Sequence, residues 1–433
     1  EMKQYIILGI LVFLLGSCDS FLKEYSQDLA YAETFSDLEE VLIGNGYLNR
    51  STGFSWVHTM DDDLEEAVVS SSYTEYENFF IWVSYPCTRN NKVYKDETWV
   101  TMYKNISAIN VVLSKLKDIT DLPEEVERLR GECHFLRAFY YYFLVNTYAK
   151  PYVKESASTD LGVPVKTTEY IEDIYFKRNT VEETYSLIMS DLEIASRLLK
   201  DKKHQSVFQA DYYAVQALLS RVYLYRGEYE AALQAADSVL QGNYTLLDYN
   251  EFPQVEASPA NMYGMHDIVP VSVLDPSFEE TIFTQGTGAF AGNKHGYGIA
   301  NGSVLSVVNR FRASEELVQM YYKEQGGGTD LRPTFFMYIN QRDPANKRYI
   351  QVTTSLTTAS SEFLLRLSEV LLNKAEALAM LDRDEEAMEV LEELRIKRIV
   401  ATEYKPLDVR SGGKLVELIR DERRRELCGE GQR

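Results

Sequence analysis

The sequence predicts a mostly α fold, built from helical hairpins separated by long irregular insertions. Apolar residues recur at helical spacing through 99–148, 180–199, 209–240 and 362–398. Recognisable start signals precede several of these stretches. Two blocks, 242–312 and 325–360, lose the periodicity and are rich in Gly, Asn, Ser and Pro.

In 99–118, Met102, Ile106, Ile109, Val112, Leu113 and Leu116 form one broad stripe. Asp121-Leu122-Pro123-Glu124-Glu125 opens the next helix, with Asp121 as capping acid and Pro123 in the first turn. That helix runs to about Tyr148. Phe135, Phe139 and Phe143 with Leu136, Tyr140 and Leu144 wrap too far round for a surface helix, so it is expected to be central. Thr180 and Glu183 have capping-box spacing at the head of a third helix. Residues 209–240 form a hairpin turning at Gly227-Glu228, with small residues at Ala232 and Ala236. The spacing of Gly227, Tyr229, Ala232 and Ala236 is similar to half of a tetratricopeptide unit. A second such hairpin is read at 362–398, with Ala375 and Ala387 as its small positions. Between the hairpins, 267–274 and 280–284 read as short strands. Further irregular stretches lie at 45–98 and 149–179.

The chain has 433 residues, with 45 Lys+Arg against 66 Asp+Glu and a net charge of −21. Without a basic run it is not equipped to grip a phosphate backbone, so nucleic acid is excluded as a partner. Apolar residues at 45% and aromatics at 12% exclude disorder. Tyrosine is abundant, 31 beside 19 Phe and 3 Trp. An apolar ring with a polar tip serves helix packing and sugar binding alike.

Lys3, the apolar run Tyr5–Leu15, then Gly16-Ser17-Cys18 describe a secretory leader ending in a lipobox. Cleavage after Ser17 would leave Cys18 acylated, anchoring the protein to a membrane. The alternative is an ordinary leader with an incidental cysteine. Four segments follow: 1–17, leader; 18–241, an N-terminal helical region; 242–312, a loop-rich insertion; 313–433, a C-terminal helical region. Cys87, Cys133 and Cys428 fit neither a disulfide framework nor a zinc site, and Cys133 reads as core.

These residues together resemble the SusD/RagB nutrient-binding lipoproteins of Bacteroidetes. The resemblance starts at Cys18-Asp19-Ser20-Phe21-Leu22 and continues through Trp99-x3-Tyr103-x2-Ile106-x3-Asn110. It is sharpest in Arg130-Gly131-Glu132-x2-Phe135-Leu136-Arg137-Ala138-Phe139-Tyr140-Tyr141. Leu365-Arg366-Leu367-Ser368-Glu369-Val370, Lys374-Ala375-Glu376-Ala377 and Glu422-Arg423-Arg424-Arg425-Glu426-Leu427-x2-Glu430-Gly431-x-Arg433 complete it. Cys428-Gly429 departs from the small-then-aromatic pair usual there. The family also continues beyond the position of Arg433, so the sequence reads as C-terminally truncated. The resemblance implies a SusD-like fold, with tetratricopeptide-like hairpins on one side and long irregular loops with minor β on the other. It further implies a surface-exposed outer-membrane lipoprotein that binds glycans, or peptides in some members, without catalysis or cofactor. Its partner would be a SusC-like TonB-dependent outer-membrane transporter.

The residues themselves carry no catalytic motif. His58, His134, His204, His266 and His295 show no metal spacing, and no GxSxG elbow or phosphate loop appears. Ser114-x-x-Lys117 lacks the companion motifs of a penicillin-binding site. Asp61-Asp62-Asp63-Leu64-Glu65-Glu66 reads as a solvated acidic turn rather than a Ca²⁺ loop, since no EF-hand spacing is present. Candidate binders are aromatics in loops, where no helical stripe explains them. They are Trp56, Trp82 and Tyr85 in the N-terminal irregular region, and Tyr263, Phe290 and Tyr297 in the insertion, with Asn90, Asn91 and Asn293 beside them. Trp99 reads as core, and Arg137 and Arg423–Glu426 as structural ion pairs. A peptide binder of the same architecture and a helical scaffold for other proteins stay open as alternatives, and a hydrolase as a third.

Overall fold

The computed structural model describes residues 32–48, 60–66, 77–84, 86–89, 92–93, 95–202, 206–252, 276–287, 299–300, 303–304, 311–322, 328–333, 337–338, 349–350, 361–408, 411–428 and 430. In chain order the principal elements are α1 (Phe35–Val41), β1 (Leu64–Glu66), α2 (Glu77–Phe80), α3 (Glu97–Lys115), α4 (Pro123–Tyr148), α5 (Val181–Leu199), α6 (Tyr212–Arg226) and α7 (Tyr229–Val239). Next come β2 (Thr281–Thr287), β3 (Phe311–Ala313), α8 (Glu315–Tyr322), β4 (Ser361–Arg366), α9 (Leu367–Met380), α10 (Asp384–Arg395) and α11 (Gly412–Glu426). The protein is mostly helical, as its sequence predicts.

Local chemistry sets most helix starts. The Asp96 carboxylate accepts from the Thr98 and Trp99 amides at the head of α3. Thr180 and Glu183 close the predicted capping box of α5, at 3.1 and 2.8 Å. Asp211 caps α6 through the Ala214 amide. The expected Asp121 cap of α4 is absent. Leu122 occupies the cap position in left-handed geometry with no side-chain bond, and Pro123 alone pre-sets the first turn. As expected, α4 is central: Phe135, Leu136, Tyr140, Tyr141 and Leu144 are fully buried and Cys133 lies among them.

The two hairpins, α6/α7 and α9/α10, stack on each other through α7 and α9. Ala232, Ala375 and Ala387 are buried in the apolar cluster of these hairpins, where small side chains let backbones approach. Gly227 takes φ +74° between α6 and α7, a conformation glycine adopts without steric cost. The second hairpin is shorter than its periodicity suggests. Residues 361–366 are strand β4, which pairs antiparallel with β2, Leu365 opposite Phe283. An apolar run feeding straight into a helix carries no periodic mark of the change. Strand β2 covers the predicted 280–284 run, while 267–274 lies outside the described residues. All sheets among the described residues are two-stranded. No described helix is long and apolar enough to cross a membrane.

Tyrosine hydroxyls pin distant segments to this frame. Tyr140 donates to the Gly46 carbonyl and Tyr103 to that of Pro164. Tyr321 donates to the Arg425 carbonyl. Tyr223 and Tyr229 pack against the core as well. Among the described residues, these tyrosines therefore serve the fold.

Candidate functional site

The buried charges form an ion centre. Arg332, Arg366, Arg395, Arg398 and Arg425 face Asp330, Glu280, Glu422, Glu426 and Glu430. Arg366 reaches Glu280 at 2.8 Å, Glu426 at 2.7 Å and Glu430 at 2.7 Å, joining β4, β2 and α11. Burial opposes ionisation of Glu422, yet Arg332, Arg425 and Arg395 hold its carboxyl well below the usual range. Arg398, Arg366 and Arg332 do the same for Glu426. A buried centre with matched charges is weak evidence for stability and better suited to fixing one arrangement of elements. Arg137 likewise grips Asp191 with two nitrogens at 2.8 Å, so both arginine sets read as structural are structural.

A small cavity is lined by Arg128, Glu132, Leu199, Lys202, Gln209, Ala210 and Asp211. Burial raises the Glu132 carboxyl, which accepts from Tyr47 at 2.7 Å and pairs with Arg128. Its proton sites are thus committed to the fold.

The acidic turn differs from expectation. Asp61, Asp62 and Asp63 hold carboxylate oxygens within 4.8 Å of one another. Asp63 is buried rather than solvated and accepts from Arg424 at 2.6 Å. A partner so distant in sequence leaves no local signal.

Of the predicted ligand residues, Trp82 falls among the described ones. Cys18, Trp56, Tyr85, Asn90, Asn91, Tyr263, Phe290, Asn293 and Tyr297 lie outside them. Trp82 follows α2 in a short turn, its amide donating to Phe79. Its φ is +54°, and 68% of its surface is exposed. The left-handed region costs a residue with a side chain about 1–2 kcal/mol. Such strain persists where surroundings enforce it. Here Asn78 donates to the carbonyls of Pro86 at 3.3 Å and Thr88 at 2.6 Å, closing the loop. Ile81 beside it is also exposed. The result is a flat ring held out to solvent, chemically suited to stack on the C–H face of a sugar. Trp99, by contrast, packs on Tyr103 and Tyr148 at 4.8 and 4.9 Å between centroids, as a core residue should.

One further aromatic pair was open to the same loop test and lies in 149–179. Tyr175 is fully exposed and Phe176 partly so, with Ile171 and Ile174 alongside. A loop aromatic that no helical stripe explains was the available signal.

The described residues thus form a helical frame closed by a buried ion centre, with aromatic rings exposed on its loops. A family model described as "Starch-binding associating with outer membrane" matches residues 24–224, and one described as "SusD family" matches 227–433. The chain belongs to the SusD/RagB family. It is 24% identical over 373 residues to a SusD-like protein of Formosa agariphila, covering 77% of this chain and 70% of that one. It is 26% identical over 178 residues to the starch-binding protein SusD of Bacteroides thetaiotaomicron, covering 40% of this chain and 29% of that relative. Among solved structures, a SusD superfamily protein of Bacteroides thetaiotaomicron superposes with TM-score 0.69 at 23% identity, covering 92% of this chain and 87% of that one. A SusD-like carbohydrate binding protein of Bacteroides vulgatus gives 0.67 at 20%, with 92% and 81% coverage. At these identities the structural likeness speaks for the fold.

Proposed function

We propose that this protein captures glycans at the cell surface for uptake through a partner TonB-dependent outer-membrane transporter, without covalent chemistry. An acylated Cys18 would anchor it to the outer membrane. The observation that carries the reading is Trp82, an exposed ring kept in a strained backbone conformation by the bonds of Asn78. Family membership supports a carbohydrate ligand. Trp56, Tyr85, Asn90, Tyr263, Phe290, Asn293 and Tyr297 are proposed to complete the binding face.

Native affinity gels containing amylopectin, xylan, pectin, mannan or mixed-linkage β-glucan test the reading. Wild type should be retarded by at least one polymer, and Trp82→Ala should lose much of that retardation. Heat released on titrating peptides, with none from any polysaccharide, would favour a peptide binder of the same architecture.

A further inference from the structure

The segment between α4 and α5 is a pinned arm. Its outgoing limb lies along α3 and α4: Tyr103 donates to the Pro164 carbonyl at 2.7 Å, Tyr141 to that of Lys166 at 2.9 Å, and Asn110 to those of Lys166 and Thr168. Its returning limb is fixed by Arg178, which donates to the carbonyls of Gly162, Tyr148 and Leu161. The limbs also join each other. Leu161 bridges Thr180, and the Asn179 side chain accepts from the Val165 amide at 2.8 Å. Residues 169–176 therefore project from a base with little freedom left to lose.

Lys166 orders that tip from below. Its ammonium pairs with Glu172 at 2.5 Å and lies 5.2 Å from the Phe176 centroid. One face of Phe176 is thus taken by a cation, whereas Tyr175 is 103% exposed. Glu169 reaches Ser114, in the last turn of α3. Trp82 instead precedes the first turn of α3 in the chain. From Glu97 to Ser114 the helix extends about 25 Å at 1.5 Å per residue.

We infer that the 169–176 tip is a second glycan platform, with Tyr175 as its stacking ring, and that it and Trp82 engage one polymer at separated points. This inference rests on the glycan reading. A polysaccharide repeats the same apolar C–H face along its length, so two rings on separate segments can meet identical units of one chain. Asp173 and Lys177 flank the ring and offer partners to sugar hydroxyls. The second contact is intramolecular once the first has formed, and it raises overall affinity without any new type of interaction. The pinned base keeps its entropic cost low.

The test uses the full-length protein and whichever of the five polymer gels retains it. Tyr175→Ala should weaken retention on that polymer by about a hundredfold, the lower end of what such linkage delivers. It should leave affinity for the corresponding trisaccharide, measured by titration calorimetry, within about twofold, because a short oligomer cannot span both rings. Trp82→Ala should weaken both. If Tyr175→Ala is retained like wild type while Trp82→Ala is not, the tip serves another partner and the proposal fails alone. Equal losses of polymer and trisaccharide on Tyr175→Ala would also overturn it, since the two rings would then share one subsite. If wild type is retained by none of the gels, the glycan reading beneath both sites fails.

Discussion

Arg424 in α11 donates to the Asp63 carboxylate at 2.6 Å, across 361 positions of chain. Both side chains are buried, and Arg424 also reaches Glu316 at the head of α8. One guanidinium thus fastens the turn before β1, α8 and the C-terminal helix together.

Removing the acid should expose how much depends on that fastening. Asp63→Ala takes a buried carboxylate from Arg424, whose contact with Glu316 is mostly solvated. A loss of about 3 kcal/mol in urea unfolding is expected. Asp63→Asn keeps an acceptor and should lose about half as much. Indistinguishable midpoints for the three proteins would mean that the pair contributes nothing.

Acid should dismantle the ion centre. Glu422 and Glu426 have folded values below their unfolded ones, so their stabilisation is complete above the unfolded value of about pH 4.3. It drains away as pH falls below that. Glu430 works in the opposite sense, because burial raises its carboxyl. Glu422→Gln should be less stable than wild type at pH 7, yet show a flatter decline between pH 4 and pH 2, about the window that linkage assigns. Parallel acid limbs for the two proteins would remove Glu422 from the account.

Tyr47 makes a quieter link. Its hydroxyl donates to Glu132 at 2.7 Å and accepts from the Ala210 amide at 3.1 Å, tying α4 to the residue before the α6 cap. Tyr47→Phe strands a buried amide and a carboxylate lone pair, at a cost of about 2 kcal/mol. Thermal unfolding should report it, with helical content unchanged at low temperature.

Trp82 should separate fold from function. Trp82→Gly removes the left-handed strain and should hold or raise stability, by up to about 1 kcal/mol. The same substitution should abolish gel retardation. A variant that loses stability and keeps binding would reverse the assignment of this residue.

Much of the helical frame could be read in advance because its causes are local. The Thr180–Glu183 box, the Gly227 turn and the buried alanines of both hairpins act within a few residues of themselves. Strand β4 was hidden because an apolar run fits strand and helix equally until β2 claims it. Asp63 misled for a related reason: burial came from Arg424, and a run of acids announces only its own charge. The motifs that carried the family resemblance turn out to hold the ion centre, through Arg366, Glu422, Arg425, Glu426 and Glu430. They identify how the chain is closed rather than what it binds. The ligand face was legible only as a rule about loop aromatics. That rule named Trp82 as a candidate; Tyr175 meets it as well and was not named.

The ion centre also sets an order of events during synthesis. Arg332, Arg366 and Arg398 leave the ribosome before Glu422 and Glu426 exist, and Asp63 emerges long before Arg424. Until α11 is made, those charges have reason to stay hydrated, and the surfaces around them cannot close. The hairpins can form as they appear, but the ion centre closes only once α11 is made. A nascent chain halted before residue 412 would thus be helical yet open.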